Sequence, residues 1–214
     1  MKLYTYFRSS AAYRVRIALH LKGLAFEPVF VHLLRNGGEQ KQASYQALNP
    51  LGLVPTLQTD TAVLTQSLAI LEWLEETHPV PPLLPTDAGA RAQVRAIAQT
   101  IACDIHPLNN LRVLNYLTNT LGVSDEQKTR WYRHWVQQGL EAVERLLVQN
   151  RLPGRFCCGD TPTLADCCLV PQVANALRFQ CPLEAMPTIQ RIVAACEALE
   201  AFQQAAPGQQ ADAE

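Results

Sequence analysis

The chain has 214 residues, of which 48% are hydrophobic and 17% are charged, so it can bury a substantial core in one large or two modest domains. Its 18 basic and 19 acidic residues give a formal net charge of -1, and no basic run is interleaved with aromatic residues, which argues against nucleic acid as a partner. Met1-Lys2 leads directly into a strand pattern without a signal peptide, and no apolar run could span a bilayer, so we expect a cytoplasmic protein without a membrane partner.

The first 83 residues alternate between strand and helix patterns. The predicted order is strand, helix and strand, then a short polar helix, a two-stranded hairpin and a second long helix. The corresponding segments are KLYTYF, Ser10 to Lys22, FEPVFVHL, Glu39 to Gln46, VPTLQT with AVLTQ, and SLAILEWLEETH. Gly23 provides a stop for the first helix, and Ser67 caps the last one. Residues 1–83 are therefore predicted to form an α/β domain.

A proline-rich segment, HPVPPLLPTDAG, follows and is predicted to link this domain to a second one. Residues 89–206 are rich in Ala, Leu, Gln and Arg with helical spacing, and they contain no convincing strand pattern. Helices are predicted from Gly89 to Leu121, Ser124 to Gln149, Thr163 to Arg178 and Pro187 to Ala205. The polar residues 207–214 are predicted to be disordered. The fold class is thus an α/β domain followed by an all-α domain.

The seven cysteines all lie in the second half of the chain. Their odd number and the lack of a secretory signal argue against a disulfide framework. No C-x-x-C spacing or nearby pair of histidines matches a metal site, so no metal is expected. The cysteines are therefore interpreted as small hydrophobic residues that fill the core.

Six blocks of sequence, in this order, resemble the zeta class of glutathione transferases. They are RSSAAYRVRIAL, ALNPLGLVPTL, TQSLAILEWLEE, IHPLNNLRVL, GDTPTLADCCLVPQVANALRF and EAF. The resemblance covers essentially the whole chain and implies a thioredoxin-like glutathione-binding domain followed by a helical substrate domain. One position departs from the family pattern: a cysteine is expected after the two serines, and here Ala11 follows them. The departure bears on any mechanism that needs a protein thiol at position 11.

The resemblance implies how the first domain holds glutathione. Either serine at the start of the first helix is explained by capping, but the family uses the first of the pair to stabilise the thiolate, so Ser9 is the predicted partner with Ser10 in support. A cis bond is implied before Pro55, which exposes the backbone of Val54 to the tripeptide. The helix start at Gln66-Ser67 is implied to bind the γ-glutamyl end.

The second domain is implied to contribute to the site through DIHPLNNLR and the end of VPQVANALRF. Asn110 lies four residues after His106 and shares its helix face, and both are implied to contact the cofactor, with His106 also a proton donor. Arg112 and Arg178 are candidates to bind substrate carboxylates, together with Arg8 from the first domain. Thr163 to Asp166 reads as a capping box with a role in folding only.

The family's activity is the glutathione-dependent cis–trans isomerisation of maleyl compounds, so a small dicarboxylate is the expected substrate. Maleylacetoacetate is preferred because Ser9-Ser10 and VANALRF resemble the enzymes that act on it. Maleylpyruvate remains an alternative, favoured by His106. A conjugating or dehalogenating transferase would use the same glutathione contacts, and a non-catalytic binding module is disfavoured by the intact Ser9, Pro55 and Gln66-Ser67. A homodimer is expected from the resemblance only.

Overall fold

The computed structural model describes residues 1–150, 152 and 154–214. These residues form two compact units. The first consists of Met1–Leu83 together with Glu197–Glu214, and the second of Leu84–Cys196. The segment after 196 therefore belongs with the first unit, although the sequence pattern had grouped residues 89–206 in one helical domain.

The first unit contains a four-stranded mixed sheet. Its strands are β1 (Lys2–Thr5), β2 (Glu27–Phe30), β3 (Thr56–Gln58) and β4 (Val63–Thr65), in the order β2-β1-β3-β4. β1 runs parallel to β2, and the β1–β3 and β3–β4 pairs are antiparallel. This topology is the predicted βαβ unit followed by ββα, and it confirms the thioredoxin-like fold expected for residues 1–83.

Nine α-helices are found in the described residues. They are α1 (Ser10–Leu21), α2 (Ala43–Gln46), α3 (Ser67–Thr77), α4 (Ala88–Gln99), α5 (Leu111–Asn119), α6 (Asp125–Val148), α7 (Leu164–Arg178), α8 (Pro187–Glu197) and α9 (Glu200–Ala205). The strand between α1 and α2 is followed by two short 3-10 turns, Arg35–Gly37 and Glu39–Lys41, so the polar helix predicted from Glu39 to Gln46 is only partly α-helical.

The helix predicted from Gly89 to Leu121 is interrupted in its middle. After α4 the backbone passes through a π-helical segment, Thr100–Ile105, and a 3-10 turn, Pro107–Asn109, before α5 begins. Pro107 has no N–H to donate to the preceding turn, and Asn110 starts a new helix by accepting a hydrogen bond from Arg112 N at 3.1 Å. The break lies at Pro107, and it divides the predicted helix into two.

The capping box predicted at Thr163 is confirmed. Asp166 is fully buried, and its carboxylate accepts hydrogen bonds from Thr163 N and Thr163 Oγ1, both at 2.8 Å, and from Cys157 N at 2.9 Å. Burial raises the pKa of Asp166, and the hydrogen bonds act in the opposite direction. The side chain thus ties the start of α7 to the loop before it, which is the folding role expected from the sequence.

All seven cysteines are free thiols, as predicted. Six are buried, and Cys103, in the π-helical segment, is exposed and so does not fill the core. Burial raises the pKa of the Cys157 thiol well above its usual value, which keeps it protonated and unreactive. Among the described residues, no helix combines the length and the apolar character needed to cross a bilayer.

The segment predicted to be disordered, residues 207–214, is ordered in the structure. It contains a 3-10 turn, Pro207–Gln209, and it packs on the first unit. Asp212 accepts a hydrogen bond from Phe7 N at 3.0 Å, and Glu214 pairs with Arg35. The polar composition was misleading because these residues are held by tertiary hydrogen bonds and ion pairs, which no local pattern reveals.

Candidate active site

The start of α1 is built around Ser9. Its hydroxyl oxygen accepts a hydrogen bond from Ala12 N at 3.2 Å, so Ser9 is the N-cap of the helix. The hydroxyl proton has no acceptor within the described part of the chain, and it is available to donate to a ligand. Ser10 is the first helical residue and is buried, with 5% of its surface exposed. Of the two serines, Ser9 is the one that caps the helix and keeps a proton to donate.

Arg8 precedes this cap and is exposed, with its guanidinium 4.8 Å from the centre of the Phe7 ring. The stacking contact with Phe7 leaves the donors at the rim of the guanidinium in solvent. Ala11 lies in the first turn of α1 and presents a methyl group where the family pattern has a thiol. The positive charge at this helix start therefore comes from the Arg8 guanidinium and from the positive end of the helix dipole.

The Val54–Pro55 peptide bond is cis, as the resemblance implied. No hydrogen bond among the described residues involves the backbone N–H or C=O of Val54, although the residue is buried. Buried backbone groups are almost always paired. The Val54 N–H and C=O could therefore form hydrogen bonds with the backbone of a bound peptide. The predicted exposure of the Val54 backbone groups to a ligand is compatible with this geometry.

Two residues that the sequence analysis missed support the loop before Pro55. Asn49 Nδ2 donates to Leu53 O at 2.7 Å and to Thr56 Oγ1 at 3.2 Å. Tyr45 OH donates to the same Leu53 oxygen at 2.7 Å and lies 2.9 Å from Thr56 Oγ1. Burial raises the pKa of Tyr45, which keeps the hydroxyl protonated. The two side chains fix the backbone on both sides of Val54 and Pro55.

The start of α3 offers free backbone donors. The N-cap is Gln66, with φ 68° and ψ 115°, and not Ser67 as predicted from the sequence. The Gln66 side chain makes no capping hydrogen bond. No acidic residue occupies the first turn, so the first N–H groups of the helix remain available to an anion. Ser67 is buried, and its hydroxyl accepts a hydrogen bond from Arg14 NH1 at 3.1 Å.

The structure shows Arg14 to be buried, with 2% of its surface exposed. Its position on α1 and its bond to Ser67 connect the helix start that carries Ser9 to the helix start at Gln66. A buried guanidinium next to unpaired helix N–H groups makes this corner of the first unit positive. The sequence pattern concealed this role because Arg14 lies within an otherwise apolar helix face.

In the second unit, His106 and Asn110 are brought together. The Asn110 Nδ2 and His106 Nε2 atoms are 3.5 Å apart, and Asn110 Oδ1 accepts from Arg112 N. The amide oxygen is thereby committed to the helix cap, and its NH₂ group points to the imidazole as a donor. With Asn110 Nδ2 as the donor, Nε2 is the acceptor in this contact, and the ring proton lies on Nδ1. The side chain of Arg112 is exposed.

Arg178 lies at the end of α7, where it is exposed and stacks over Phe179 with its guanidinium 5.0 Å from the ring centre. Phe179 in turn stacks on Tyr132, with ring centres 3.6 Å apart. Burial raises the pKa of Tyr132 to about 12, and the charge of Arg178 and its hydrogen bond to the hydroxyl act against this rise. The contacts hold the guanidinium of Arg178 in one place at the helix end.

The described residues contain no group of three or more His, Cys, Asp or Glu side chains that could bind a metal ion. The site residues of the first unit thus cluster at three backbone features, namely the start of α1, the loop before Pro55 and the start of α3. Those of the second unit lie in the interruption after α4 and at the end of α7. Neither group carries a thiol, a metal ligand cluster or a buried carboxylate that would serve as the nucleophile.

Comparison with known proteins finds relatives that are similar along nearly the whole chain. Residues 8–77 match the family model described as glutathione S-transferase, N-terminal domain. A probable maleylacetoacetate isomerase from Vibrio cholerae serotype O1 is 53% identical over 211 residues, which are 99% of this chain and 97% of that protein.

Solved structures extend the similarity to the whole fold. A maleylpyruvate isomerase described as a bacterial glutathione S-transferase of the zeta class matches with a TM-score of 0.97 and 49% identity over 100% of both chains. A maleylacetoacetate isomerase from Methylobacterium extorquens AM1 with bound malonate and GSH matches with a TM-score of 0.96 and 42% identity, again over 100% of both chains. The chain therefore belongs to the maleylacetoacetate and maleylpyruvate isomerase family, the zeta class of glutathione transferases.

Proposed function

We propose that the chain is a glutathione-dependent isomerase that converts the cis double bond of maleylacetoacetate to the trans form in fumarylacetoacetate. The observation that carries this proposal is the full-length similarity to isomerases of this family together with a helix start at Ser9 whose hydroxyl proton is available. In this chain the residues that would hold the cofactor are Ser9, Ser10, Val54, Gln66 and Ser67.

Three features of the first unit fit glutathione. The unpaired N–H and C=O of Val54 match the backbone of a bound peptide. The free N–H groups at the start of α3, with Arg14 beside Ser67, suit a carboxylate such as that of a γ-glutamyl group. The Ser9 hydroxyl suits a thiolate. The residues present therefore fit the tripeptide, and no metal ion is needed for this chemistry.

Bound glutathione would supply the thiolate nucleophile, which adds reversibly to the double bond so that the carbon chain can rotate before the sulfur leaves. Ser9 has two functions here: its oxygen caps α1, and its proton donates to the thiolate. The positive end of α1 favours the same negative charge, and both effects lower the pKa of a thiol at this place. Ser10 supports the helix start from a buried position.

The substrate carries two carboxylates, and this chain offers exposed arginines to bind them. We assign this role to Arg8, Arg112 and Arg178, since a guanidinium forms two parallel hydrogen bonds to a carboxylate. His106 is assigned as the donor to the oxygen on which enolate charge develops, and Asn110, by donating to Nε2, leaves the donating proton on Nδ1. Asn110 is also assigned a contact with the cofactor, as the family resemblance implies.

Maleylpyruvate is the second candidate substrate, and two observations favour it. His106 is present, and the maleylpyruvate isomerase of the zeta class matches with a TM-score of 0.97 over the whole chain. Turnover of each purified substrate, with and without glutathione, tests both candidates. We expect both substrates to require glutathione and the preferred one to have the larger kcat/KM. Failure to turn over either substrate, or turnover that does not depend on glutathione, would refute an isomerase and leave a conjugating or dehalogenating transferase to be assayed with halogenated acids.

The proposal includes a homodimer in the cytoplasm. The isomerase chemistry uses small soluble metabolites and a reduced thiol, which the cytoplasm provides, and the seven free cysteines accord with a reducing compartment. Light scattering after size-exclusion chromatography would give a mass near twice the chain mass of 23.8 kDa if the chain dimerises. A mass equal to one chain at micromolar concentration would refute the dimer and leave the isomerase proposal intact.

A further inference from the structure

Ser9 is the last residue of a tight turn that follows β1. Ser9 N donates to Tyr6 O at 2.9 Å, so Phe7 and Arg8 are the central residues of the turn. The turn therefore positions two of the assigned residues, the exposed Arg8 and the cap residue Ser9. Whatever fixes the backbone of the turn also fixes the direction in which the Ser9 hydroxyl points.

Arg16 holds this turn from the interior of the first unit. Its side chain is fully buried, and NH2 donates to Phe7 O at 3.2 Å. NH1 donates to Thr5 Oγ1 at 3.0 Å and to Tyr6 O at 3.4 Å, while Nε donates to Ala205 O at 2.9 Å. The guanidinium thus gathers the carbonyl oxygens of the turn and ties them to the end of α9.

Asp212 holds the same turn from the other side. Its Oδ2 atom accepts a hydrogen bond from Phe7 N at 3.0 Å, across 205 positions in sequence. Burial lowers the pKa of Arg16 to about 10, and the charges of Tyr13 and Asp212 act in the opposite direction, so Asp212 also stabilises the buried cation. Phe7 therefore has its N–H bound by an anion and its C=O bound by a cation.

A purely stabilising role does not account well for Asp212. Its second oxygen, Oδ1, is buried and accepts no hydrogen bond from the described residues. A buried carboxylate oxygen without a partner reduces the net stability that the ion can contribute. The structure nevertheless has a carboxylate here, and this carboxylate holds the backbone N–H of Phe7, two residues before Ser9.

We propose that Arg16 and Asp212 are positioning residues, which clamp the Tyr6–Ser9 turn so that the Ser9 hydroxyl points at the thiolate of bound glutathione. This inference rests on the proposed function, since it assigns the purpose of a contact to the same site. Small displacements of a catalytic donor cost large factors in rate, whereas they change the free energy of unfolding little. The two effects can be measured separately.

The test uses the whole protein with three substitutions. Asp212→Ala removes the acceptor, Asp212→Asn keeps an acceptor oxygen without the charge, and Glu214→Gln is the matched control in the same segment, where Glu214 contacts Arg35 and His32 rather than the turn. The readouts are the pKa of the thiol of bound glutathione, followed by the ultraviolet absorbance of the thiolate, the kinetic constants with both maleyl substrates, and the midpoint of thermal unfolding.

We expect Asp212→Ala to raise the pKa of the bound thiol by about one unit and to lower kcat/KM about tenfold. Asp212→Asn should recover only part of this loss, because it still accepts from Phe7 N but lacks the charge that stabilises Arg16. Glu214→Gln should resemble the unmodified protein in both readouts. A lower unfolding midpoint with an unchanged thiol pKa and unchanged kcat would show that Asp212 is structural only, and it would overturn the inference.

Three further outcomes are distinguishable. If Asp212→Ala does not fold, Asp212→Asn is compared with Glu214→Gln. An unshifted thiol pKa and unchanged kinetics in both variants would refute the clamp, whereas a shift confined to Asp212→Asn would support it. If the unmodified protein binds glutathione but turns over neither substrate, the isomerase proposal fails, while the thiol pKa still tests the clamp. If glutathione does not bind at all, both proposals are refuted.

Discussion

Replacing Ser9 by Ala removes two interactions that the structure assigns to one hydroxyl group. The oxygen accepts from Ala12 N at 3.2 Å as the N-cap of α1, and the proton is free to donate to a thiolate. The first interaction stabilises the fold, and the second is proposed to stabilise the reacting anion. We therefore expect the substitution to reduce both stability and activity, by amounts that have different origins.

The two magnitudes follow from the nature of each hydrogen bond. Loss of a serine N-cap to alanine costs about 1 kcal/mol in the free energy of unfolding. Loss of a donor to a charged group costs about 1.5–3 kcal/mol. In the rate this corresponds to a loss of about 10- to 100-fold, and in the bound thiol to a pKa rise of about 1–2 units.

Ser9→Gly separates the two effects, because glycine is itself a good N-cap and costs only about a few tenths of a kcal/mol relative to serine. It lacks the hydroxyl donor just as alanine does. We expect Ser9→Gly and Ser9→Ala to have equal losses of kcat/KM and equal thiol pKa values, and to differ in unfolding free energy. Ser10→Ala is the neighbouring control and should lose much less rate.

Denaturant unfolding measures the stability, and glutathione-dependent turnover with a titration of the bound thiol measures the function. If Ser9→Gly recovers most of the activity lost in Ser9→Ala, the serine acts by capping α1, and the assigned donor role is wrong. Equal small losses in Ser9→Ala and Ser10→Ala would lead to the same conclusion.

Three other perturbations have expected outcomes. Ala11→Cys should change kcat by less than about tenfold, since one sulfur from glutathione suffices for the addition. It should also increase inactivation by the maleyl substrate, because a thiol in the first turn of α1 has a lowered pKa. A large gain in kcat without inactivation would contradict both expectations. Lys22→Ala removes the cation that lies 2.8 Å from the buried Glu75 and should cost about 3–5 kcal/mol in the free energy of unfolding. Lys22→Met with Glu75→Leu should restore only part of this loss, because Lys22 also donates to His78 O and Pro81 O, and Glu75 accepts from Leu83 N; an equal loss in the double variant would show that these backbone bonds, and not the uncompensated charge, account for the stability. Burial, and then the charge of Arg16, lower the pKa of His20, so the unfolded chain binds a proton at this residue more readily than the folded chain does. The stability that this residue contributes above pH 6.5 should therefore be lost as the pH falls through the lower pKa of the folded state. Unfolding curves of His20→Gln should lack part of this loss, and an unchanged pH dependence of stability would refute the assignment.

The local elements of this protein follow from its sequence because they depend on neighbouring residues. Alternation and helical spacing located all four strands and the helices α1, α3, α6 and α7 to within a few residues. The helices predicted from Gly89 to Leu121 and from Pro187 to Ala205 are each divided into two α-helices in the structure. The Thr163–Asp166 box and the caps at Ser9 and Ser124 use side chains three residues from the N–H groups they bind. The resemblance to the family supplied the cis bond before Pro55, which residue statistics alone do not favour.

The sequence failed where a residue's partner is distant along the chain. The buried positions of Arg14 and Arg16, the support of the Pro55 loop by Asn49, and the order of residues 207–214 all depend on tertiary hydrogen bonds. A charge in an apolar helix reads locally as a structural or surface charge, and a polar segment near the end of the sequence reads as disordered. Only the folded chain brings a buried guanidinium to carbonyl oxygens and a distant carboxylate to Phe7 N, because each charge is stable there only when all its partners are in place.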